Sequence, residues 1–333
     1  MNKAMRIPIL VFRTMAAAMV LVCLSGCSPD SGGGDKMKVA GVFTTSLEDP
    51  RASVIYQGLK QSERELEVVC DVVEDVAPDK MARVLRDYAE KGYPVIFGDA
   101  RDCEDIVRKV ARDFPEIAFC FCSNLGPTEP NFSVFNSWVY EPAYLCGLLA
   151  GRLTKTNTVG AVAGRPDPVV NCLLNSFNQG VMESNPAARV LIISPGDTAT
   201  MIKEVSRLVE AGADHIYAGF PGSIMLCQKK GVIAFGNLQD QYSLAADTVI
   251  TGTVWDMWPT VEKVITDMEE ERYQAMDLRE WSMMAKGGAY LASYHSFEGK
   301  IPYDLKDEIN QKRRDIMAGT LRVPANEFPL PAE

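Results

Sequence analysis

The sequence has few of the residues and motifs that carry catalysis. It contains only two histidines, His215 and His295, and neither has a partner at metal-ligand spacing. A Gly-x-Ser-x-Gly nucleophile motif and a phosphate-binding Gly-rich loop with lysine are absent. The segment Gly160-Ala-Val-Ala-Gly164 lacks the rest of a dinucleotide-binding fingerprint. We therefore expect no enzyme, no metal and no cofactor.

Acidic residues are missing from the first 26 residues and outnumber basic residues in the rest of the chain. The net charge is −10, and it becomes −13 once Lys3, Arg6 and Arg13 are removed with that segment. Nucleic-acid binding needs basic patches, and adhesion to anionic lipid needs positive charge. We therefore expect no nucleic-acid partner and no electrostatic attachment to a membrane.

No apolar run in the N-terminal segment is long enough to span a bilayer. Thr14 to Leu24 supplies 11 residues, whereas a spanning helix needs about 20. The run follows a basic N-terminus and ends in Leu24-Ser25-Gly26-Cys27, which resembles the lipobox of bacterial lipoproteins. This predicts a signal peptide over 1–26 and a lipidated (palmitate-bearing) Cys27 at the periplasmic face of the cell envelope. The alternatives are an ordinary signal peptide and a short membrane anchor.

A polar segment rich in glycine follows Cys27 and extends to Lys36. Such a composition is flexible and buries no apolar surface, so residues 27–36 are predicted to be a tether. Seven of the nine cysteines lie beyond Cys27, and an odd number at irregular spacing does not form a disulfide framework. We expect these seven to be small buried hydrophobes.

Apolar strand-like runs alternate with amphipathic helical segments from Lys38 to Trp255. This alternation is typical of βα units on parallel sheets that are covered on both faces. Two such series, each about 100 residues long, predict two doubly wound lobes. Lobe 1 is predicted over 37–135 plus about 256–285, and lobe 2 over 136–255 plus about 286–333, so the chain crosses between them several times.

Polar and aromatic residues follow the predicted strands. Ligands of such sheets bind outside the carboxyl ends of the strands, which in a two-lobed protein face a common cleft. Rings stack on a flat ligand, and amides and carboxylates bind its edge. The same residue types also serve in turns, helix caps and cores. The predicted ligand-binding residues are Ser46, Asp49, Arg51, Gly98, Asp99, Ser123, Asn136, Trp138, Tyr217, Phe220, Asn237, Asp240 and Trp255.

Several segments resemble one family of proteins. Tyr140-Glu-Pro-Ala-Tyr-Leu-Cys-Gly147 is similar to its Glu-x-x-aromatic-Leu-x-Gly segment, and Asp49 with Gly58, Gly212-Ala-Asp214 and Asp240-Gln241 occur in the family's order. The family is that of the basic membrane protein lipoproteins, which includes purine nucleoside receptors. The resemblance implies a type I periplasmic-binding fold and the role of substrate-binding protein of an ABC importer.

The departures from this family bear on the ligand. Nucleoside-binding members usually have an aromatic near Arg51, an Asp where Ser123 stands, an Asp near Leu238 and a Lys about where Trp255 stands. The resemblance implies that Tyr217 is a stacking aromatic and that Trp255 adds a second stacking face in place of a contact to ribose. That combination favours a purine base or another flat heterocycle over a nucleoside.

The sequence leaves three functions open. The first is a monomeric binding protein that delivers a purine-like ligand to an ABC permease and ATPase, and neighbouring transporter genes would support it. The second is a receptor that senses a ligand without transport. The third is an enzyme on the same scaffold, which turnover of a bound compound would establish. Other ligand classes, a flavin or a sugar, remain alternatives.

Overall fold

The computed structural model describes residues 36–100 and 103–330. The predicted signal peptide, Cys27 and all of the predicted tether except Lys36 lie outside the described residues. Of the helices in the described ranges, none combines the length and the apolar character needed to cross a membrane.

Five strands form the first sheet. They are β1 (Lys38–Phe43), β2 (Val69–Val73), β3 (Val95–Asp99), β4 (Ala118–Cys122) and β5 (Phe132–Phe135). Their order is β2-β1-β3-β4-β5, and all neighbours run parallel. Every residue of β3, β4 and β5 is buried, which explains why these strands appear in the sequence as continuous apolar runs.

Six strands form the second sheet. They are β6 (Thr158–Gly164), β7 (Arg189–Gly196), β8 (His215–Ala218), β9 (Ile233–Gly236), β10 (Val249–Trp255) and β11 (Ala289–Leu291). Their order is β11-β10-β9-β8-β6-β7. All pairs are parallel except β10 with the edge strand β11, which is antiparallel.

Both faces of each sheet are covered. Along β1, Val39 and Phe43 belong to one hydrophobic core, while Ala40 and Val42 belong to another. The first of these cores continues into the second sheet, whose other face has a core of its own. The predicted pair of doubly wound parallel-sheet lobes is therefore confirmed, with the antiparallel β11 as an addition.

Helices connect the strands. They are α1 (Pro50–Glu65), α2 (Pro78–Glu90), α3 (Glu104–Asp113), α4 (Tyr140–Leu153), α5 (Pro168–Ser184), α6 (Thr198–Glu210), α7 (Pro221–Lys230), α8 (Trp258–Glu269) and α9 (Tyr303–Met317). Asp49, Asp167 and Asp197 accept backbone N–H groups as N-caps of α1, α5 and α6. Proline at the start of α1 and α5 cannot donate an N–H and fits that position.

Over the described ranges, the chain passes between the two sheets three times. The first passage follows β5 and leads into α4, which packs against β10 of the second sheet. The second follows β10 and leads into α8, which packs against α1. The third returns from residues 276–278, where Met276 and Leu278 form backbone hydrogen bonds with Val134 of β5, to β11. The predicted lobe boundaries stay predictions.

Helices α4 and α5 touch backbone to backbone. A Cβ added at Gly147 would lie 2.1 Å from the carbonyl oxygen of Phe177, and one at Gly180 would lie 2.1 Å from that of Tyr144. Any side chain at either position would force the helices apart. Gly147 ends the family-like segment, so this close approach gives a physical reason for glycine in that motif.

The C-terminal part of the chain differs from the expectation in three respects. The sequence over 260–276 predicts a single helix, but α8 ends at Glu269, and the residues after it extend along β5. The sequence over 288–295 predicts a strand, but only Ala289–Leu291 forms one, as β11, and His295 begins a short 3-10 helix beyond it. Helix α9 carries many charged residues and buries only Leu305, Ile309 and Ile316, a sparse apolar pattern that the sequence analysis missed.

Hydrogen bonds to Asp214 connect the start of β8 to the loop after α4. Its carboxylate accepts hydrogen bonds from Thr154 Oγ1 (2.7 Å) and the Lys155 amide (2.6 Å), and it lies 2.9 Å from His215 Nδ1. Burial alone would raise the pKa of Asp214, but the bonds from His215, Thr154 and Lys155 hold it well below its usual range. The folded state therefore favours the ionised carboxylate.

Asp214→Asn should lower the free energy of unfolding at pH 7, because it removes the ionised carboxylate that these hydrogen bonds favour. The expected loss is only about 1 kcal/mol, because 22% of the side chain remains exposed and solvent screens its charge. A carboxylate whose folded pKa is depressed stabilises the protein above its unfolded pKa of about 4 and loses this contribution at lower pH. The difference between wild type and variant should therefore shrink as the pH falls from 6 to 3. Urea unfolding across that range measures it, and a difference independent of pH would contradict the assignment.

Candidate functional site

A cleft of about 650 Å³ lies where the carboxyl ends of the strands of both sheets meet. Its first wall consists of residues at or after the ends of β1, β3, β4 and β5. Its second wall consists of residues at or after the ends of β6, β7, β8 and β9. This is the position that ligands take in open parallel sheets.

The cleft brings together seven of the thirteen predicted site residues. Those that line it are Asp49, Arg51, Asp99, Ser123, Asn136, Phe220 and Asn237. Those that the structure places elsewhere are Ser46, Gly98, Trp138, Tyr217, Asp240 and Trp255. The ligand contacts of the first group stay predictions.

Arg51 is the central polar group of the first wall. Its Nη1 donates to Asn136 Oδ1 (2.8 Å) and lies 3.1 Å from Cys122 Sγ. Asn136 is itself held, because its Oδ1 also accepts from the Ser137 amide and its Nδ2 donates to Asn124 Oδ1 (2.7 Å). The guanidinium is thus positioned by a side chain that has no freedom to rotate.

Neighbouring groups stabilise the charged form of Arg51. Burial alone would lower the pKa of the guanidinium, but Cys122, Asp99 and, across the cleft, Asp167 raise it above its ordinary value. An arginine in such a place offers a planar set of donors to carbonyl, ring-nitrogen or hydroxyl acceptors.

Most carboxylates of the cleft already form hydrogen bonds or ion pairs with other groups of the protein. Asp49, Asp167 and Asp197 accept backbone N–H groups as helix N-caps, and Glu104 accepts from Ser123 Oγ (2.7 Å) and pairs with Arg108 (2.6 Å). Their negative charge is offset by helix N-termini and by Arg108. The cleft therefore offers hydrogen-bond donors and acceptors. Five carboxylates among the described residues line it against the two guanidinium groups of Arg51 and Arg165, and their charge is partly offset, which suits a polar ligand without negative charge.

Phe220 is the only aromatic among the described residues that line the cleft. It lies at the N-terminus of α7, and the second wall also contains the apolar lining residues Leu238 and Met201. Leu238 has a φ of +66°, a left-handed conformation that is rare for a bulky side chain. One ring face and an aliphatic surface are thus available to a flat ligand.

The predicted stacking role of Trp255 is corrected by its position. Trp255 is 2% exposed, its ring packs against Phe135, and its Nε1 donates to Ser282 Oγ (3.1 Å). As the last residue of β10, it directs its ring towards the core between the sheets rather than into the cleft. It has no face left on which a ligand could stack.

Trp138 and Tyr217 are also core residues. Trp138 is covered by the Arg279 guanidinium, 4.2 Å from its ring centre, and Tyr217 is fully buried beneath Asn237, to which its hydroxyl donates. An aromatic at a strand end can face either side of the sheet, and at these positions burial of a large apolar ring is the stronger effect.

The remaining three predicted residues have local structural roles. Ser46 belongs to the turn before α1, where its hydroxyl accepts from the Glu48 amide. Gly98 lets β3 approach β1, since a Cβ there would lie 2.1 Å from the carbonyl oxygen of Val42. Asp240 caps the amide of Tyr242 and pairs with His295 Nε2 (2.6 Å) away from the cleft.

Among the acidic residues that line the cleft, three were missed by the sequence analysis: Glu104, Asp167 and Asp197. A usable signal exists for two of them, because Asp167-Pro168 and Asp197 with Thr200 each begin a helix directly after a strand. Within the described residues, no group of three or more His, Cys, Asp and Glu side chains is arranged to hold a metal ion.

Comparison with known proteins agrees with this architecture. The chain is 26% identical to a purine-binding protein of Brucella abortus, over 78% of this chain and 76% of that protein. It is 25% identical to the putative ABC transporter glucose-binding protein TsgA13 of Haloferax volcanii, over 88% of this chain and 76% of that one.

Among solved structures, the fold resembles a transcriptional activator of the comK gene from Bacillus halodurans, with a TM-score of 0.75 and 18% identity over 85% of this chain and 99% of that one. It also resembles an ABC transporter solute-binding protein from Conexibacter woesei, with a TM-score of 0.70 and 21% identity over 88% and 99%. These neighbours confirm the expected type I periplasmic-binding fold.

The family profile gives the most direct assignment. The Bmp profile, described as ABC transporter substrate-binding protein PnrA-like, matches residues 37–280. These residues include the first sheet, the second sheet without its edge strand β11, and every described residue of the cleft. Members of this family are substrate-binding proteins, as the sequence resemblance implied. The chain belongs to the Bmp family of PnrA-like ABC transporter substrate-binding proteins.

Proposed function

We propose that this protein captures a small, uncharged, polar ligand in the cleft and delivers it to an ABC permease and ATPase. The observation that carries the proposal is the Arg51–Asn136 pair, a charged donor group held rigidly at the centre of one wall. Hydrogen-bonding side chains and Phe220 of the second wall face it across the cleft. Such proteins hold ligand by closing two lobes on it, so that contacts from both walls form together.

A purine base or a nucleoside is the ligand class that we put first. Phe220 can stack on one face of a purine, while Arg51 and Asn237 can donate to its carbonyl or ring nitrogens. The similarity to a purine-binding protein supports this class. Because Trp255 does not line the cleft, the predicted second stacking face is missing. The argument that favoured a purine base over a nucleoside therefore no longer applies.

A sugar is the second candidate. Only one of the described lining residues is aromatic, while guanidinium, amide and carboxylate groups are numerous, a mixture that also binds hydroxyl groups. The similarity to a putative glucose-binding protein supports it. Sensing without transport is the alternative to delivery, and permease and ATPase genes beside this one would favour delivery.

Calorimetric titration of the mature protein tests the ligand class. The panel contains adenine, guanine, xanthine, adenosine, guanosine, riboflavin, D-glucose and D-ribose. We expect micromolar or tighter binding of at least one purine or nucleoside. Binding confined to a sugar would replace the first candidate by the second, and silence towards the whole panel would overturn both.

We also propose that Cys27 attaches the protein through lipid to the periplasmic face of a membrane of the cell envelope. Cells that express the wild type and are fed labelled palmitate should yield a labelled protein in the membrane fraction. Cys27→Ala should carry no label and should lose its membrane association, since stable anchoring needs the acyl chains. The wild-type chain without label, or the variant with it, would refute this proposal.

A further inference from the structure

We infer that Asn237 presents a fixed hydrogen-bond donor, its Nδ2 amide, to the ligand, and that Tyr217 and Thr253 are the positioning residues that hold it in this orientation. The inference rests on the proposed function and adds a requirement to it. A ligand of this cleft must place an acceptor atom against the second wall at Asn237.

The amide oxygen of Asn237 meets two buried hydroxyl groups. Tyr217 OH and Thr253 Oγ1 each lie 2.8 Å from Asn237 Oδ1, and they lie 2.8 Å from each other. Tyr217 and Thr253 are both 0% exposed, so water does not compete for their protons. Each hydroxyl proton therefore needs an acceptor within this triangle.

A count of protons decides which way the amide faces. With Oδ1 towards the hydroxyls, both hydroxyl protons are accepted by one carbonyl oxygen, which has two lone pairs, and no buried donor is left over. With the NH2 group towards them, the two amide protons and the two hydroxyl protons make four protons for the three pairs of atoms in the triangle. Each pair can hold one proton, so one hydroxyl proton has no acceptor. An orphaned buried donor is energetically costly, so the first orientation is favoured.

The angles support the same choice. Three equal separations of 2.8 Å form an equilateral triangle, so the two hydroxyl oxygens subtend 60° at the amide atom. The protons of an NH2 group diverge by about 120° and cannot both point at them, whereas a carbonyl oxygen accepts over a broad range of directions.

The Nδ2 group is left on the cleft side. A Cβ added at Gly219, which lines the cleft, would lie 3.7 Å from Asn237 Nδ2. No described residue accepts a hydrogen bond from Nδ2, and Asn237 is itself a lining residue. The backbone is fixed as well, because the Asn237 amide donates to Gln241 Oε1 (2.9 Å).

The polarity of this position can be reversed without changing its shape. Asn237→Asp keeps an oxygen for both hydroxyl protons but replaces the donor in the cleft by a second acceptor. For the tightest-binding member of the panel above, we expect the affinity to fall at least 30-fold, while the melting temperature stays within about 3 °C of wild type. Gln239→Glu adds the same charge two residues away at a position that does not line the cleft, and it should bind within threefold of wild type.

A second measurement needs no ligand. The side-chain amide signal of Asn237, identified by its absence in Asn237→Asp, should exchange its protons rapidly with water in the empty protein. Tyr217→Phe combined with Thr253→Val should lower the NMR order parameter of that amide nitrogen, which a purely structural role of the two hydroxyls would not do. Protected amide protons, or an Asn237→Asp variant that binds within threefold of wild type, would overturn the inference. If the wild type binds no probe, the proposed ligand class fails and amide exchange still decides the orientation.

Discussion

Trp255→Ala should lower the free energy of unfolding by about 3–5 kcal/mol, the loss that is typical when a large buried aromatic side chain is truncated. The ring lies where the chain passes between the two sheets. It packs against Phe135 at the first passage, with ring centres 6.2 Å apart, and it donates to Ser282 in the third passage, while Trp255 itself begins the second. One side chain thus connects all three passages.

Two further variants separate the contributions to this loss. Trp255→Phe retains most of the apolar ring but removes the bond to Ser282, a residue that is 0% exposed, so a loss of about 1–2 kcal/mol is expected. Trp258→Ala removes the same side-chain type from a half-buried position three residues on and should cost less than Trp255→Ala. Urea unfolding of the four proteins measures the series.

Binding by the Trp255 variants distinguishes a core residue from a ligand contact. If the ring only packs between the sheets, Trp255→Phe should bind ligand with an affinity close to that of wild type. A loss of affinity of tenfold or more in a stable Trp255→Phe protein would show that the indole contributes to ligand binding and that Trp255 is not solely a core residue.

The sequence was most informative about the strands and their ends. Fully buried parallel strands leave continuous apolar runs, so β3 and β4 were recognisable, and the polar residues that follow such runs reach the cleft because all parallel strands end at the same edge. Asp99, Ser123 and Asn136 were found in this way, and all three line the cleft.

The sequence was least informative about which way a strand-end side chain faces. Three aromatic residues at strand ends are of the types that stack on ligands: Trp138, Tyr217 and Trp255. Each one is buried in the hydrophobic core instead, where its large ring packs against other core residues. The direction in which a strand-end side chain points depends on the twist of the sheet and on contacts with residues of the opposite lobe, which are distant in sequence. The triangle of Tyr217, Asn237 and Thr253 joins three separate strand segments and has no local signature.

The charge of Arg51 leads to the largest expected effect on binding. Both hydrogen bonds of its guanidinium to described residues use Nη1, and both hold it against the first wall, so its remaining N–H groups can donate into the cleft. Arg51→Met keeps a long apolar stem and removes every donor. We expect the affinity for the tightest-binding panel compound to fall about 100-fold, which corresponds to about 2.7 kcal/mol.

The fold should tolerate this change, because Asn136 keeps its bonds to the Ser137 amide and to Asn124 when Arg51 is removed. Arg51→Lys retains the charge but not the planar set of donors, so it should lose about tenfold. Calorimetry gives the affinities, and thermal unfolding confirms that each variant is folded. If Arg51→Met binds as wild type does, the guanidinium does not contact the ligand in the way proposed. The rigid pair with Asn136 would then serve only the first wall, and the binding contacts would have to come from Phe220 and Asn237.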